Sequence, residues 1–230
     1  MATQAELFAD ARKNMVDSQI RPNRVTDPRI LAAMRRLPRE RFLPPALRAL
    51  AYADEDVPLG NGRYLMEPMV LARLLQAAQP RENERTLVVG AGTGYAAAVL
   101  AACGCRVVAL EDDPALLSIA HAVLPEEAPS VTLVSGPLAA GWPANAPYDL
   151  ILIEGAVPEV PAALKDQLHM EQGRLAGAVF DPARDDGRPL LGSTRAILAE
   201  ATGAGLGVTP IFDCAMPPLP AMRKAPAFEF

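Results

Sequence analysis

The central part of the chain alternates short apolar runs with segments whose apolar residues recur at helical spacing. Strands are predicted at 86–89, 106–110, 131–135 and 148–153, and helices at 95–103, 115–123 and 162–168. Apolar runs without polar interruptions are typical of strands that are buried on both faces of a parallel sheet. The alternation of strands and helices therefore predicts an α/β fold with a doubly wound, mostly parallel sheet and helices on both faces.

The N-terminal part predicts helices broken by proline. Residues 5–19 have helical spacing, and Pro22 ends that segment because proline cannot continue a helix. Asp27 is placed to cap a second helix that starts at Pro28, and a third helix starts at Pro68. We expect these helices to pack against the sheet as a cap.

The C-terminal part predicts strands without intervening helices. The three stretches are GRLAGAVF, RPLLGSTRAILAEA and LGVTPIFDCAM. An antiparallel extension at one edge of the sheet fits this order best. We expect a single domain over residues 1–230, with a helical cap and lid segment in 1–80 and a Rossmann-like core in 81–230.

The stretch TLVVGAGTGY at 86–95 carries the candidate chemistry. A β-branched strand is followed by Gly90, Gly92 and Gly94 and then by an alanine-rich helix. Strand, glycine turn and helix form the first unit of a nucleotide-binding fold. The G-x-G-x-G spacing differs from the G-x-G-x-x-G of the dinucleotide fingerprint, and no Gly-Lys-Ser/Thr follows as a Walker loop requires.

An acidic run follows the second strand of this unit. Glu111 comes 21 residues after Gly90 and precedes Asp112, and a carboxylate about 20 residues beyond the turn can accept hydrogen bonds from ribose hydroxyls. The alternative is a strand end exposed to solvent. Because the turn holds no Lys or Arg, it favours S-adenosylmethionine, which has no phosphate, over NAD. An NAD-dependent oxidoreductase stays as an alternative.

Composition narrows the classes of partner. Half of the 230 residues are hydrophobic, 21% are charged and the net charge is -5, without the basic patch typical of nucleic-acid or anionic-membrane binding. No apolar run reaches the length of a membrane span or a signal peptide, so a cytoplasmic protein is expected. Cys103 and Cys105 are predicted to pack as small apolar residues, and no metal site is predicted.

The chain resembles the protein-L-isoaspartate O-methyltransferase family over nearly all of residues 14–230. The resemblance is carried by MRRLPRERFLPP, AYADEDVPLGNGRYLMEP, LVVGAGTGYAAAVLA, APYDLILIEGAVPEVPAALKDQL and EQGRLAGAVF. It implies a doubly wound sheet with a rearranged antiparallel end and S-adenosylmethionine as the cofactor. It also implies methyl transfer to the carboxylate of isoaspartyl residues, so a protein or peptide acceptor, while a small-molecule acceptor stays open. The sequence indicates no oligomeric state.

Three departures from the family pattern concern the site. The lid reads G-R-Y-L-M-E-P where the family usually has G-Q-T-I-S-x-P, which places Arg63, Tyr64 and Met66 at the Gln, Thr and Ser positions. Pro137 follows Gly136 where the family usually has Gly-Asp-Gly. Glu154 stands at a predicted strand end where the family tends to have a small or hydroxyl residue.

These residues give two sets of site predictions. The candidates for catalysis are Met66, Tyr64 and Glu154, and the predicted cofactor-binding residues are Gly90, Ala91, Gly92, Gly94, Glu111, Asp112, Gly136 and Pro137. Met66 can instead be core filler. Glu154 can be a base for a hydroxyl or amine acceptor, a charge facing the sulfonium, or a solvated strand end. Tyr64 and Arg63 can contact an acidic acceptor or be exposed loop residues. The altered lid also leaves open a binding or scaffolding protein that keeps the fold and has lost catalysis.

Overall fold

The computed structural model describes residues 2–180, 194–202 and 205–222. Two sheets are present among them. The small sheet is a hairpin of β1 (Val57–Gly60) and β2 (Arg63–Leu65). The large sheet has seven strands in the order β5-β4-β3-β6-β7-β8-β9. Its strands are β3 (Arg85–Val89), β4 (Arg106–Glu111), β5 (Thr132–Ser135), β6 (Leu150–Val157), β7 (Arg174–Phe180), β8 (Thr194–Thr202) and β9 (Gly205–Cys214).

Six α-helices connect and cover these strands within the described ranges. They are α1 (Gln4–Asn14), α2 (Pro28–Arg36), α3 (Pro68–Ala78), α4 (Tyr95–Ala102), α5 (Pro114–Glu127) and α6 (Ala162–Lys165). The predicted Asp27 cap is confirmed, since its side chain accepts from the Arg29 amide at the start of α2. None of the described helices has the length and apolarity that a bilayer span requires.

The predicted doubly wound sheet is confirmed, with one correction at its C-terminal side. Strands β3 to β7 pair in parallel, and only β8 and β9 are antiparallel to their neighbours. The stretch GRLAGAVF was predicted as part of the antiparallel extension, but it forms β7, which is parallel to β6. The helix α6 connects these two strands. Residues 181–193, which include the start of the second predicted C-terminal strand, lie outside the described residues.

The strand β6 is longer than the sequence predicts, and this changes the setting of Glu154. The predicted strand ended at residue 153, whereas β6 runs to Val157 with an irregularity between Leu152 and Ala156. Gly155 has a φ of +147° at this irregularity, which bulky residues rarely adopt. Glu154 therefore lies inside a bulged strand, and the prediction of a strand end is wrong.

The N-terminal helices form a layer outside the sheet. Residues of α2 pack on α4, and the π-helical turn Met15–Ile20 packs on α3. The predicted cap thus contacts mainly the helices α3 and α4, which themselves lie on the sheet.

Cys103 and Cys105 are buried in the hydrophobic core and form no disulfide, as predicted. The hairpin β1–β2 was not predicted, because its strands have only four and three residues.

Candidate functional site

The glycine turn connects β3 to α4 at the carboxyl end of the sheet. Gly90, Gly92 and Gly94 have φ values of 72°, 57° and 95°, a backbone region that strains residues with side chains. A Cβ at Gly94 would lie 3.0 Å from Leu124 of α5, so this glycine permits close packing. A Cβ at Gly92 would lie 3.9 Å from Leu59 of β1, an ordinary van der Waals distance, so the hairpin packs over this glycine.

Glu111 ends β4 directly beside this turn, and its side chain is completely buried. Its Oε2 accepts the amide of Gly92 at 2.6 Å. Its Oε1 accepts the amides of Asp112 and Asp113, each at 2.9 Å. The structure thus brings Glu111 and the glycine turn into contact, and the alternative of a solvated strand end is excluded.

Arg63 of β2 supplies the positive charge next to Glu111. Its Nη1 lies 2.6 Å from Oε1 of Glu111 and its Nη2 lies 2.8 Å from Oε2, which is a bidentate ion pair. Nη2 also donates to the carbonyl of Gly90 at 2.9 Å. Because Arg63 is 6% exposed, the expectation that it is an exposed loop residue is wrong.

Leu219 fills the crevice between the glycine turn and β6. A Cβ at Gly90 would lie 3.0 Å from its Cδ1, and a Cβ at Gly155 would lie 2.9 Å from its Cβ. The crevice between β3 and β6 is where the strand order reverses, and ligands of doubly wound sheets bind at such switch points. The chain therefore places its own side chain at the customary ligand position.

The remaining predicted cofactor residues lie in the turn and in the loops that follow β4 and β5. Ala91 is buried in the turn, whereas Asp112 and Pro137 are exposed. The amide of Gly136 donates to the carbonyl of Glu111 at 3.2 Å, which places the β5 loop beside the end of β4. A Cβ at Gly136 would lie 3.3 Å from the ring of Trp142, the single tryptophan of the chain.

The three candidates for catalysis line one small cavity. Tyr64, Met66 and Glu154 surround it, and its volume is about 20 Å³. Met66 is 4% exposed and Tyr64 is 39% exposed, so the first belongs to the wall and the second reaches solvent. Arg39 is fully buried behind this wall and donates from Nη2 to the carbonyl of Met66 at 2.6 Å, which fixes the lid backbone.

The Glu154 carboxyl has an unusual environment for an acid. Its Oε1 is buried and has no hydrogen-bond partner among the described residues. Burial raises the pKa of Glu154 to about 8, although the charge of Arg63 opposes the shift. The carboxyl is therefore mostly protonated at neutral pH, which gives it an O–H donor. No group of three or more His, Cys, Asp or Glu is placed to hold a metal ion in the described part of the chain.

Comparisons with known proteins show which family this chain belongs to. The family model described as protein-L-isoaspartate(D-aspartate) O-methyltransferase matches residues 10–182. This chain belongs to that family. A family member from Methylorubrum extorquens, named protein-L-isoaspartate O-methyltransferase, is 43% identical over 81% of this chain and 80% of its own length. A member of the same name from Methanoregula boonei is 40% identical over 77% of this chain and 82% of its own length.

Solved structures of the family share the fold. A structure named protein-L-isoaspartate O-methyltransferase has a TM-score of 0.71 and 24% identity, and the match covers 94% of this chain and 66% of that chain. A family structure from Plasmodium falciparum, described as putative and as a complex with S-adenosyl-L-homocysteine, has a TM-score of 0.74 and 17% identity, with 91% and 98% covered. These similarities agree with the doubly wound sheet and its antiparallel end.

The residues around the turn fit an adenosyl ligand in chemistry, but two side chains occupy their contacts. A carboxylate beside a glycine turn, as Glu111 provides, is a group that such a ligand requires. The guanidinium of Arg63 is paired with this carboxylate, and Leu219 lies against Gly90 in the crevice. A ligand that takes both the carboxylate and the crevice therefore requires both side chains to move.

Sequence reasoning missed Arg63 as a partner of Glu111 and missed Leu219 entirely. The signal for Arg63 was present: a cation beside Gly62 in the lid and three consecutive acids at 111–113. The turn itself holds no Lys or Arg, but Arg63, 27 positions before Gly90 in the chain, brings a positive charge to it. For Leu219, no prediction was made from the stretch after the last strand.

Proposed function

We propose that this chain is an S-adenosylmethionine-dependent protein-L-isoaspartate O-methyltransferase whose acceptor is a protein or peptide. Membership of the family over residues 10–182 carries the proposal. The position of the glycine turn and Glu111 at the switch point of the sheet supports the cofactor. The relatives' names support isoaspartyl carboxylates as the acceptor groups.

The cofactor would be held at the carboxyl ends of three strands. The main chain at Gly90, Ala91, Gly92 and Gly94, the acids Glu111 and Asp112, and the loop of Gly136 and Pro137 are the proposed binding residues. When bound, S-adenosylmethionine supplies a methyl group on a positively charged sulfur. Glu111 accepts hydrogen bonds from ribose in this proposal, because its carboxylate ends β4 beside the glycine turn.

The acceptor side of the reaction depends on position rather than on a base. A carboxylate is already ionised at neutral pH, so the protein has to orient it and exclude water. Glu154 in its protonated form can donate a hydrogen bond to that carboxylate, and Arg39 holds the lid backbone at Met66. We propose that Glu154 takes over the orienting role of the hydroxyl that Met66 lacks.

The test is methyl transfer from labelled S-adenosylmethionine to a synthetic isoaspartyl peptide. The matched control is the same peptide with a normal aspartyl residue. We expect base-labile label in the isoaspartyl peptide alone. Binding of the cofactor without transfer to that peptide would show that the acceptor differs. Binding of the cofactor without transfer to any of a wide panel of acceptors would favour the binding or scaffolding alternative, and a folded protein that binds no cofactor would overturn the cofactor assignment.

A further inference from the structure

We propose that Arg63 is an internal competitor of the cofactor, which holds the chain in a closed state until the hairpin β1–β2 withdraws. The inference rests on the proposed function, because it concerns the same cleft. It assigns an affinity-determining role to a lid residue that touches neither the transferred methyl group nor the acceptor carboxylate in the proposed reaction.

The acceptor positions on Glu111 are all taken in this structure. A carboxylate offers about four lone-pair sites. In this chain Glu111 already accepts from two nitrogens of Arg63 and from the amides of Gly92, Asp112 and Asp113. No position is left for a ribose hydroxyl, so ribose and Arg63 exclude each other.

The tip of the hairpin lies on the acidic run 111–113. Besides its pair with Glu111, Arg63 has Nη1 3.6 Å from Asp112. Asn61 donates from its side-chain amide to Asp113 at 2.9 Å. Three consecutive acids thus bind two residues of one hairpin, Asn61 and Arg63. The contact therefore involves more than one side chain of the hairpin.

The C-terminal segment closes the same cleft. Residues 217–219 pair with the last residues of β6. The Ala156 amide donates to the Pro217 carbonyl and the Leu219 amide donates to the Ala156 carbonyl, each at 2.9 Å. A Cβ at Gly62 would lie 3.1 Å from the ring of Pro220. We call the hairpin 57–65 and the segment 216–222 together the cover, because they contact each other above the glycine turn.

The cover changes the expected affinity in a simple way. A ligand that binds only the open form has an apparent Kd equal to its intrinsic Kd divided by the open fraction. Weakening the Arg63–Glu111 pair raises the open fraction and lowers the apparent Kd. The effect does not need any new contact between the protein and the ligand.

The experiment is calorimetric titration with S-adenosylhomocysteine, supported by the fluorescence of Trp142 next to Gly136. This ligand has no charged sulfur, so loss of direct repulsion from Arg63 does not enter the result. The variants are Arg63→Ala and Arg63→Gln, with Leu219→Ala as a second route to the open form. The matched control is Arg106→Gln, which changes an exposed arginine at the opposite end of the sheet.

We expect both Arg63 variants to bind at least tenfold more tightly than the wild type, with similar Kd values, and Arg106→Gln to bind as the wild type does. Equal Kd values for the wild type, both Arg63 variants and Leu219→Ala, all folded, would overturn the proposal. A gain in Arg63→Gln alone would also overturn it, because a new contact of the glutamine would then explain the gain. Absence of binding in every folded variant is a third contradicting result.

The isoaspartyl peptide assay separates this inference from the proposed function. Peptide methylation by a wild type that binds as tightly as the Arg63 variants would leave the function standing and remove the competitor. Tight binding by the Arg63 variants without methylation of the isoaspartyl peptide would support the competition by Arg63. The same result would contradict isoaspartyl carboxylates as the acceptor.

Discussion

The guanidinium of Arg63 and the carboxylate of Glu111 form a buried bidentate pair, with nitrogen–oxygen distances of 2.6 Å and 2.8 Å. The two residues are 48 positions apart, on the lid hairpin and at the end of β4. Their side chains are 7% and 0% exposed. The pair therefore joins the lid to the proposed cofactor site without solvent between them.

The first prediction concerns the stability that this pair provides. Arg63→Gln and Glu111→Gln should each lower the free energy of unfolding by about 3 kcal/mol, because each leaves a buried partner without its charge. The double variant should cost about 2 kcal/mol less than the sum of the two. Urea unfolding measures all three, with Arg29→Gln as a control at an exposed ion pair. Additive costs would show that the two side chains do not interact.

The second prediction concerns Glu154 and pH. The pKa of Glu154 is about 8 in the folded chain, well above that of an ordinary carboxyl, so the folded state holds its proton more tightly. Stability from this group is therefore lost as pH rises from about 4.5 to 8. Relative to the wild type, Glu154→Gln should become more stable by about 3 kcal/mol between pH 5 and pH 9, measured by chemical unfolding.

The control for Glu154 is Glu171→Gln, which removes an exposed carboxyl. Its stability relative to the wild type should not change with pH in this window. The same variants test the orienting role of Glu154. Methyl transfer by the wild type should fall above pH 8, whereas Glu154→Gln, which keeps a donor, should retain activity there. A pH-independent difference in stability between Glu154→Gln and the wild type would contradict the burial of an unpaired acid.

The third prediction concerns Met66. Met66→Ser restores a hydroxyl at the family's serine position in the cavity wall, so kcat/KM for the isoaspartyl peptide should rise about tenfold, the value of roughly one hydrogen bond. The loss of a buried thioether should cost about 2 kcal/mol of stability. Met66→Ala carries the same cost without the hydroxyl and is the control. An equal effect of Ser and Ala on kcat/KM would remove the hydroxyl from the explanation.

Much of this fold follows from the sequence, because β3, β4 and β6 are mostly apolar runs and the helices α4 and α5 follow β3 and β4. The direction of β7 did not follow, although a helix was predicted before it at 162–168, because the three C-terminal strands were taken together as one antiparallel set. The glycine turn and Glu111 were predictable because strand, turn and acid lie in one local unit. The partner of Glu111 was not, since Arg63 reaches it only through the packing of the lid hairpin. Leu219 reaches the crevice only because Gly155 lets β6 bulge.

The fourth prediction concerns the junction of α3 with the sheet. Arg174 donates to both carboxylate oxygens of Glu84, at 3.0 Å and 2.8 Å, and to the carbonyls of Ala78 and Gln79 at the end of α3. Arg174→Met removes the arginine from all of these acceptors and should cost about 4 kcal/mol, which lowers Tm by about 10 °C. Arg106→Met, at an exposed position in β4, should change Tm by less than about 2 °C. Equal shifts would contradict the structural role of Arg174.

Hydrogen–deuterium exchange at the cover during ligand binding tests the account most directly. The reporting amide is that of Leu219, which donates to the carbonyl of Ala156 in the closed state. With saturating S-adenosylhomocysteine, peptides containing Leu219 and the hairpin 57–65 should exchange faster, while those containing Gly92 should exchange more slowly. Unchanged or slower exchange at Leu219 with the ligand bound would contradict the claim that the cover must leave the glycine turn.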